Sequence, residues 1–150
     1  ASNNESYPNY VGECTWYCRG RFHEIFGIKN VGSGSAYEWV DCALPAGVAR
    51  DKNISVGALR KNSVAVFGIG GASTSGHVVF IESVSGDNVT YSDVNGTNVG
   101  GTFSYSNGQI EVRNSQLPSA NDGYKQTVTK TKFLTLFGNG LKAIIYRSTT

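Results

Sequence analysis

The hydrophobic period of the chain changes once along its length, and that change limits the architectures open to it. Residues 14–26 read as an amphipathic helix stopped by Gly27, and Ser33-Gly34-Ser35 caps a second helix over 36–43 that Pro45 and Gly47 end. From Ser63 onward the pattern becomes that of strands: 63–68, 76–84 and 88–94 are rich in Val, Ile, Phe and Tyr. Ser85-Gly86-Asp87 between the last two is a hairpin signal. Residues 101–106, 109–114, 132–137 and 141–147 continue as strands between Asn/Gly/Ser-rich turns, while 117–126 reads as a long exposed loop. Two helices followed by a run of antiparallel strands define an α+β fold.

At 150 residues and 39% hydrophobic content, the chain is expected to form a single domain over 1–150 with a real core. Nineteen glycines and a charged fraction of 16% point to many turns around a sheet-dominated body. No run of about 18 apolar residues occurs, so no transmembrane segment is expected. A net charge of +2 without a Lys/Arg cluster argues against nucleic acid as a partner, and fits an anionic surface only weakly. The sequence contains no Met, so residue 1 is read as the start of an excised domain or of a processed mature form. Three cysteines suit one disulfide and one free thiol, an arrangement that fits an extracellular protein.

The free thiol is assigned to Cys14, in Gly12-Glu13-Cys14-Thr15-Trp16-Tyr17-Cys18. It falls in the first turn of the first helix, where unpaired backbone amides and the positive end of the macrodipole favour a thiolate. A thiol nucleophile needs a base, and the chain has two histidines. His23 follows Cys14 on the same helix, about 13 Å along the axis and half a turn out of phase, so it reads as a surface residue. His23-Glu24 also lacks the second histidine of a zinc helix, because Gly27 stands at that position. His77 instead opens a strand after the Gly-rich segment 70–76, where an imidazole can be held firmly yet remain accessible.

A Cys–His pair usually has a third group that fixes the imidazole. The neighbouring strand offers Asp93 and Asn95. With Val84 opposite Asn88, Val79 lies opposite Asp93 and His77 opposite Asn95, so all three polar groups share one sheet face. An even loop without a bulge would send Asp93 and Asn95 to the other face. The catalytic arrangement therefore requires an odd loop or a bulge. No Cys-x-x-Cys pair and no regularly spaced acidic loop exists, so neither a metal nor a cofactor is expected.

Four blocks together, Gly12-Glu13-Cys14-Thr15-Trp16-Tyr17, Ser63-Val64-Ala65-Val66-Phe67, Gly76-His77-Val78-Val79-Phe80-Ile81-Glu82-Ser83-Val84 and Ser92-Asp93-Val94-Asn95, resemble a CHAP domain, a cysteine- and histidine-dependent amidohydrolase or peptidase. The similarity is clearest over 7–96. It implies a papain-like core in which a helix carrying the nucleophile packs on an antiparallel sheet presenting the histidine. It also implies hydrolysis of bacterial peptidoglycan, either at the N-acetylmuramoyl-L-alanine amide or within the peptide stem and cross-bridge. By position Cys14 is then the nucleophile and His77 the base, with Asp93 standing where a Glu often orients the base and Asn95 as a fourth polar residue. Glu13 replaces the usual Gln and sets a carboxylate against the helix dipole. The acidic calcium loop of some phage-derived relatives is absent from 2–10, and residues after Gly96 carry no match.

The expected protein is thus the catalytic domain of a larger protein, monomeric, acting outside the cell or at the cell wall on peptidoglycan. Tyr10, Trp16 and Trp39 are candidates to line the substrate groove, with core packing as the alternative for each tryptophan. The rival function is a non-catalytic wall-binding or interaction module, and a transpeptidating enzyme of the same mechanism is a third reading. Cys18 and Cys42 are expected to form the disulfide, because Cys14 and Cys18, four apart on a helix, have Cβ atoms about 5–6 Å apart, too far to bridge. That bond would close a loop of about 24 residues and contribute about 3 kcal/mol. The alternative is three reduced thiols with Cys18 and Cys42 buried.

Overall fold

A computed structural model describes residues 14–69, 76–93, 103–106, 109–112, 124–137 and 140–148. Helix α1 (Cys14–Phe26) has the extent the sequence predicts, and it ends where Gly27 takes φ +71°. The second helix is shorter than expected: it is a 3₁₀ helix over Ala36–Val40, with Glu38 N–H donating to Ser35 O at 2.9 Å and Asp41 N–H to Glu38 O at 3.1 Å. These i→i+3 bonds make a tight, short element, and Asp41 already leaves the helical conformation ahead of Pro45.

The strands are β1 (Val48–Asp51), β2 (Ser63–Phe67), β3 (His77–Ser85), β4 (Asn88–Asp93), β5 (Phe103–Ser106), β6 (Gln109–Val112), β7 (Tyr124–Thr129) and β8 (Leu141–Arg147). Six of them form one antiparallel sheet in the order β1-β8-β2-β3-β4-β7, and β5 and β6 pair separately as a hairpin. The last strand therefore sits inside the sheet, between β1 and β2, so the C-terminal third completes the core.

Both faces of the central strands are covered, which is why β2 and the first half of β3 read as unbroken apolar runs rather than alternating ones. On one face Val64, Val66, Val78, Phe80 and Ile145 meet Trp16, Tyr17, Cys18 and Phe22 of α1 together with Trp39. On the other, Ala65, Phe67, Val79, Ile81 and Ile144 meet Tyr91 and Phe133. Each large apolar side chain so enclosed contributes about 1.5–3 kcal/mol. Trp39 lies directly on Gly32, where a Cβ would stand 2.2 Å from the indole, so only glycine admits that ring.

Three further elements depart from the sequence reading. Residues 132–137 form no strand; the stretch is helix α2 (Lys130–Phe133) and a turn, started by the Thr129 hydroxyl accepting from Lys132 N–H at 3.1 Å. Strand β7 occupies part of the stretch expected to be loop, with polar, edge-strand composition. Strand β1 at the opposite edge is short and ends on Arg50 and Asp51, which hid it.

The hairpin between β3 and β4 decides the site. Its turn has two residues rather than three, with Ser85 opposite Asn88, Val84 opposite Val89 and Ser83 opposite Thr90. A bulge at Glu82 then shifts the register, so that Ile81 faces Tyr91 and Phe80 faces Ser92. Continuing that register sets Val79 across from Asp93, the pairing expected from an odd loop. The bulge does what the loop length does not.

Candidate active site

Strand β3 begins and β4 ends at the same end of the sheet, and the N-terminus of α1 lies over that end. Gly76, immediately before His77, has φ +76°, and a Cβ there would meet Phe67 O at 2.7 Å and Tyr37 N at 2.8 Å. The backbone thus passes tightly between β2 and the 3₁₀ helix before delivering His77 to the first position of β3. Residues 70–75 of the expected Gly-rich segment lie outside the described residues.

His77 is 9% exposed, and its Nε2 lies 2.6 Å from Asp93 Oδ2. Cys14, half-buried at the start of α1, hydrogen-bonds the same imidazole. Burial alone would lower the imidazole pKa; the hydrogen bonds to Asp93 and to Cys14, together with the electrostatic pull of these neighbours, outweigh it and raise the pKa to about 10. Near neutral pH the ring is therefore held as imidazolium beside Asp93 and Cys14. Cys18, one turn further along α1 and fully enclosed, has its thiol pushed well up by burial, with further contributions from Cys14, Asp93 and Glu82, and stays neutral.

A polar chain that sequence reasoning missed ties this end of the sheet to α1. Tyr17 Oη donates to Ser92 Oγ at 2.7 Å, and Ser92 Oγ donates to Glu82 Oε2 at 2.5 Å. Arg21 completes it by donating from Nη2 to Glu82 Oε1 at 2.6 Å and from Nε to Glu82 Oε2 at 3.1 Å. Glu82 is the bulged residue and Ser92 precedes Asp93, so the chain clamps the feature that sets the register of the His77–Asp93 pair. The sequence hides the bulge, because residues 78–81 are an unbroken apolar run; only in the fold do Val79, Ile81 and Val84 share a face with one position skipped.

The remaining expectations divide. Trp16 and Trp39 are 1% and 0% exposed, so they line no groove; both are core residues, enclosed by α1, the sheet and Gly32. Tyr10 and Asn95 lie outside the described residues. The Cys18–Cys42 disulfide is not formed: all three cysteines are free. Cys18 is enclosed in the core under α1, whereas Cys42 follows the 3₁₀ helix, with its Sγ 3.5 Å from Arg50 Nη2 and its carbonyl accepting from the same group at 2.5 Å. Among the described residues no cluster of three or more His, Cys, Asp or Glu is arranged to hold a metal ion, and no helix is long and apolar enough to cross a membrane.

The CHAP domain family model matches residues 2–95. No curated protein matches the chain in sequence. Among solved structures, it is similar to an N-acetylmuramoyl-L-alanine amidase from Staphylococcus aureus at 21% identity and TM-score 0.55, over 91% of this chain and 30% of that one. It is also similar to Ly7917, solved with the hydrolyzing product of MDP, at 15% identity and TM-score 0.58, over 92% of this chain and 55% of that one. The endolysin LysIME-EF1 aligns at 17% identity and TM-score 0.53, over 92% of this chain and 54% of that one. The chain spans about a third of the amidase and about half of each of the other two. At these identities the likeness establishes a common fold.

Proposed function

The chain belongs to the CHAP domain family, and from that premise we propose that it hydrolyses an amide bond of bacterial peptidoglycan through a Cys14 thioester. The observation that carries the reading is one buried imidazole held 2.6 Å from Asp93 and hydrogen-bonded to Cys14. The bond is the N-acetylmuramoyl-L-alanine amide or a peptide bond of the stem or cross-bridge; the chemistry is the same for each. The amidase and endolysins of similar fold support this substrate class.

In the first step the Cys14 thiolate forms a C–S bond to the amide carbonyl, and the carbonyl electrons move to oxygen. The Cys14 backbone N–H, in the first turn of α1 and without an intrahelical acceptor, is aimed to stabilise that oxyanion. One such donor is worth about 3 kcal/mol in acyl transfer. On collapse the C–N bond breaks, and the imidazolium gives its proton to the departing amine. The neutral imidazole then takes a proton from water, whose oxygen attacks the thioester; the C–S bond breaks and the thiolate–imidazolium pair is restored. Asp93 keeps the ring oriented and balances its charge throughout. Asn95 keeps, within this proposal, the role of the family's fourth polar residue.

The protein would act outside the cell or at the cell wall, as a monomeric catalytic domain. Clearing of a bacterial wall suspension by the wild-type chain and by Cys14→Ser tests the reading. The serine hydroxyl is nearly isosteric but ionises far less readily, so activity should fall below a few per cent with the fold intact. A serine variant that clears the suspension would remove Cys14 as nucleophile. A wild-type chain that binds wall material without cleaving it would support the non-catalytic rival.

A further inference from the structure

Among the described residues, three that are not glycine have a positive φ: Asn30 at 63°, Asn62 at 59° and Phe137 at 59°. Asparagine enters that left-handed region readily, whereas for a bulky aromatic side chain it is a true outlier. Such strain persists only where the surroundings enforce it, and it gathers at functional sites. The turn after α2 enforces it here: Leu136 N–H donates to Phe133 O at 3.3 Å, Gly140 N–H to Leu136 O at 3.2 Å and Leu141 N–H to Leu134 O at 2.9 Å.

The strained conformation delivers the Phe137 ring to the histidine. Its centroid lies 4.7 Å from that of His77 at 65° between planes, 4.9 Å from Phe67 at 76° and 6.5 Å from Tyr91 at 85°. Phe67 is opposite His77 in the sheet, and Tyr91 is two residues before Asp93 on its strand. The ring thus bears on the imidazole from the second face of the sheet, while Asp93 and Cys14 hold its nitrogens. Phe137 also lies beyond residues 2–95, the span that the family model matches.

We propose that Phe137 is a positioning residue: it fixes the plane of the His77 ring, so that one nitrogen stays on Asp93 while the other addresses Cys14. The proposal rests on the Cys14–His77 reading above. A rocking imidazole would spend less time aligned with both partners, and misplacement of about 1 Å at such a centre can cost about a hundredfold in rate.

The test compares Phe137→Tyr, Phe137→Leu and Phe137→Asn in the full chain. Turnover and KM on soluble peptidoglycan fragments are read alongside melting temperature and the NMR signal of the His77 imidazole proton facing Asp93. Tyr keeps the ring; Leu keeps apolar bulk and the strain; Asn accepts the left-handed backbone but brings no ring. The expected result is a loss of about tenfold or more in kcat for Leu and Asn, with KM within about twofold and a faster-exchanging imidazole proton. Tyr should retain wild-type turnover. Unchanged kcat with a lower melting temperature would reduce Phe137 to packing and overturn the proposal. So would a raised KM at constant kcat, which would make the ring a substrate contact. Hydrolysis that survives His77→Ala would instead sink the Cys14–His77 reading itself, and no Phe137 variant enters that result.

Discussion

Replacing Asp93 with Asn isolates what the carboxylate does for His77, because the amide has the same shape and can still accept from Nε2–H. The bond it alters is 2.6 Å long, between side chains only 11% and 15% exposed, so solvent weakens it little. A charge-assisted hydrogen bond of that kind is worth about 1.5–3 kcal/mol, and taking about 2 kcal/mol gives a loss of about thirtyfold in kcat. The same energy should bring the imidazole, now at about 10, down by about 1.5 pH units. In the proposed mechanism the imidazolium gives a proton to the leaving amine, so the alkaline limb of the rate profile should move to lower pH by more than one unit. A folding consequence has the same sign. Because the native pKa of His77 lies above its unfolded value of about 6.5, the pair stabilises fully below that pH, and the contribution is lost as pH rises toward 10. Chemical denaturation of the Asn variant should show a shallower loss over that window. The assay is amine release from peptidoglycan between about pH 6 and 10.5, with KM measured at each end and circular dichroism to confirm the fold. A variant within about threefold of wild type, with an unmoved alkaline limb, would refute the assignment of Asp93 and shift the orienting role to Asn95.

Glu82→Ala should destabilise the protein by about 1.5–3 kcal/mol in urea denaturation, because it removes the two charge-assisted bonds to Arg21, 14% exposed, and leaves Glu24 at 3.3 Å as the guanidinium's carboxylate partner. Arg21→Met combined with Glu82→Met should lose less than the sum of the two single changes, and simple additivity would show that the bulge clamp is not a coupled unit. Thiol titration under denaturing, non-reducing conditions should find three free thiols, whereas a single one would restore the Cys18–Cys42 disulfide. In the native state Cys18, 0% exposed, should resist the reagent while Cys14 reacts.

What can be read in the sequence is what local pattern encodes. Helix α1 is legible to the residue because Gly27 stops it, β2, β3 and β8 are legible because two-sided burial leaves dense Val, Ile and Phe runs, and β4 is legible from Val89 and Tyr91 following the Ser85-Gly86-Asp87 hairpin signal. The association of Cys14 with His77 and Asp93 follows from a helix start, a strand start and one hairpin register. An odd turn would give that register; it comes instead from a two-residue turn and the Glu82 bulge, an arrangement with the same parity. Elements at the sheet edges are hidden, since Val48–Asp51 and Tyr124–Thr129 are too polar to stand out from loop. Lys130–Phe133 resembles strand because its apolar residues continue into the turn, and only the Thr129 cap marks it as helix. Residue type alone suggests a groove for Trp16 and Trp39, whereas the space above Gly32 and under α1 claims both. Phe137 gives no sign, because a left-handed aromatic is imposed by the surrounding turn and not by its own preference.

The most direct test of the central claim is mass spectrometry of purified peptidoglycan digested by the wild-type chain and by Cys14→Ser. An amide hydrolase that works through Cys14 should leave new free amino groups at one amide position, whose identity names the bond cut, and none with the serine variant. New reducing sugar ends without new amines, or equal amine release by both proteins, would contradict that mechanism.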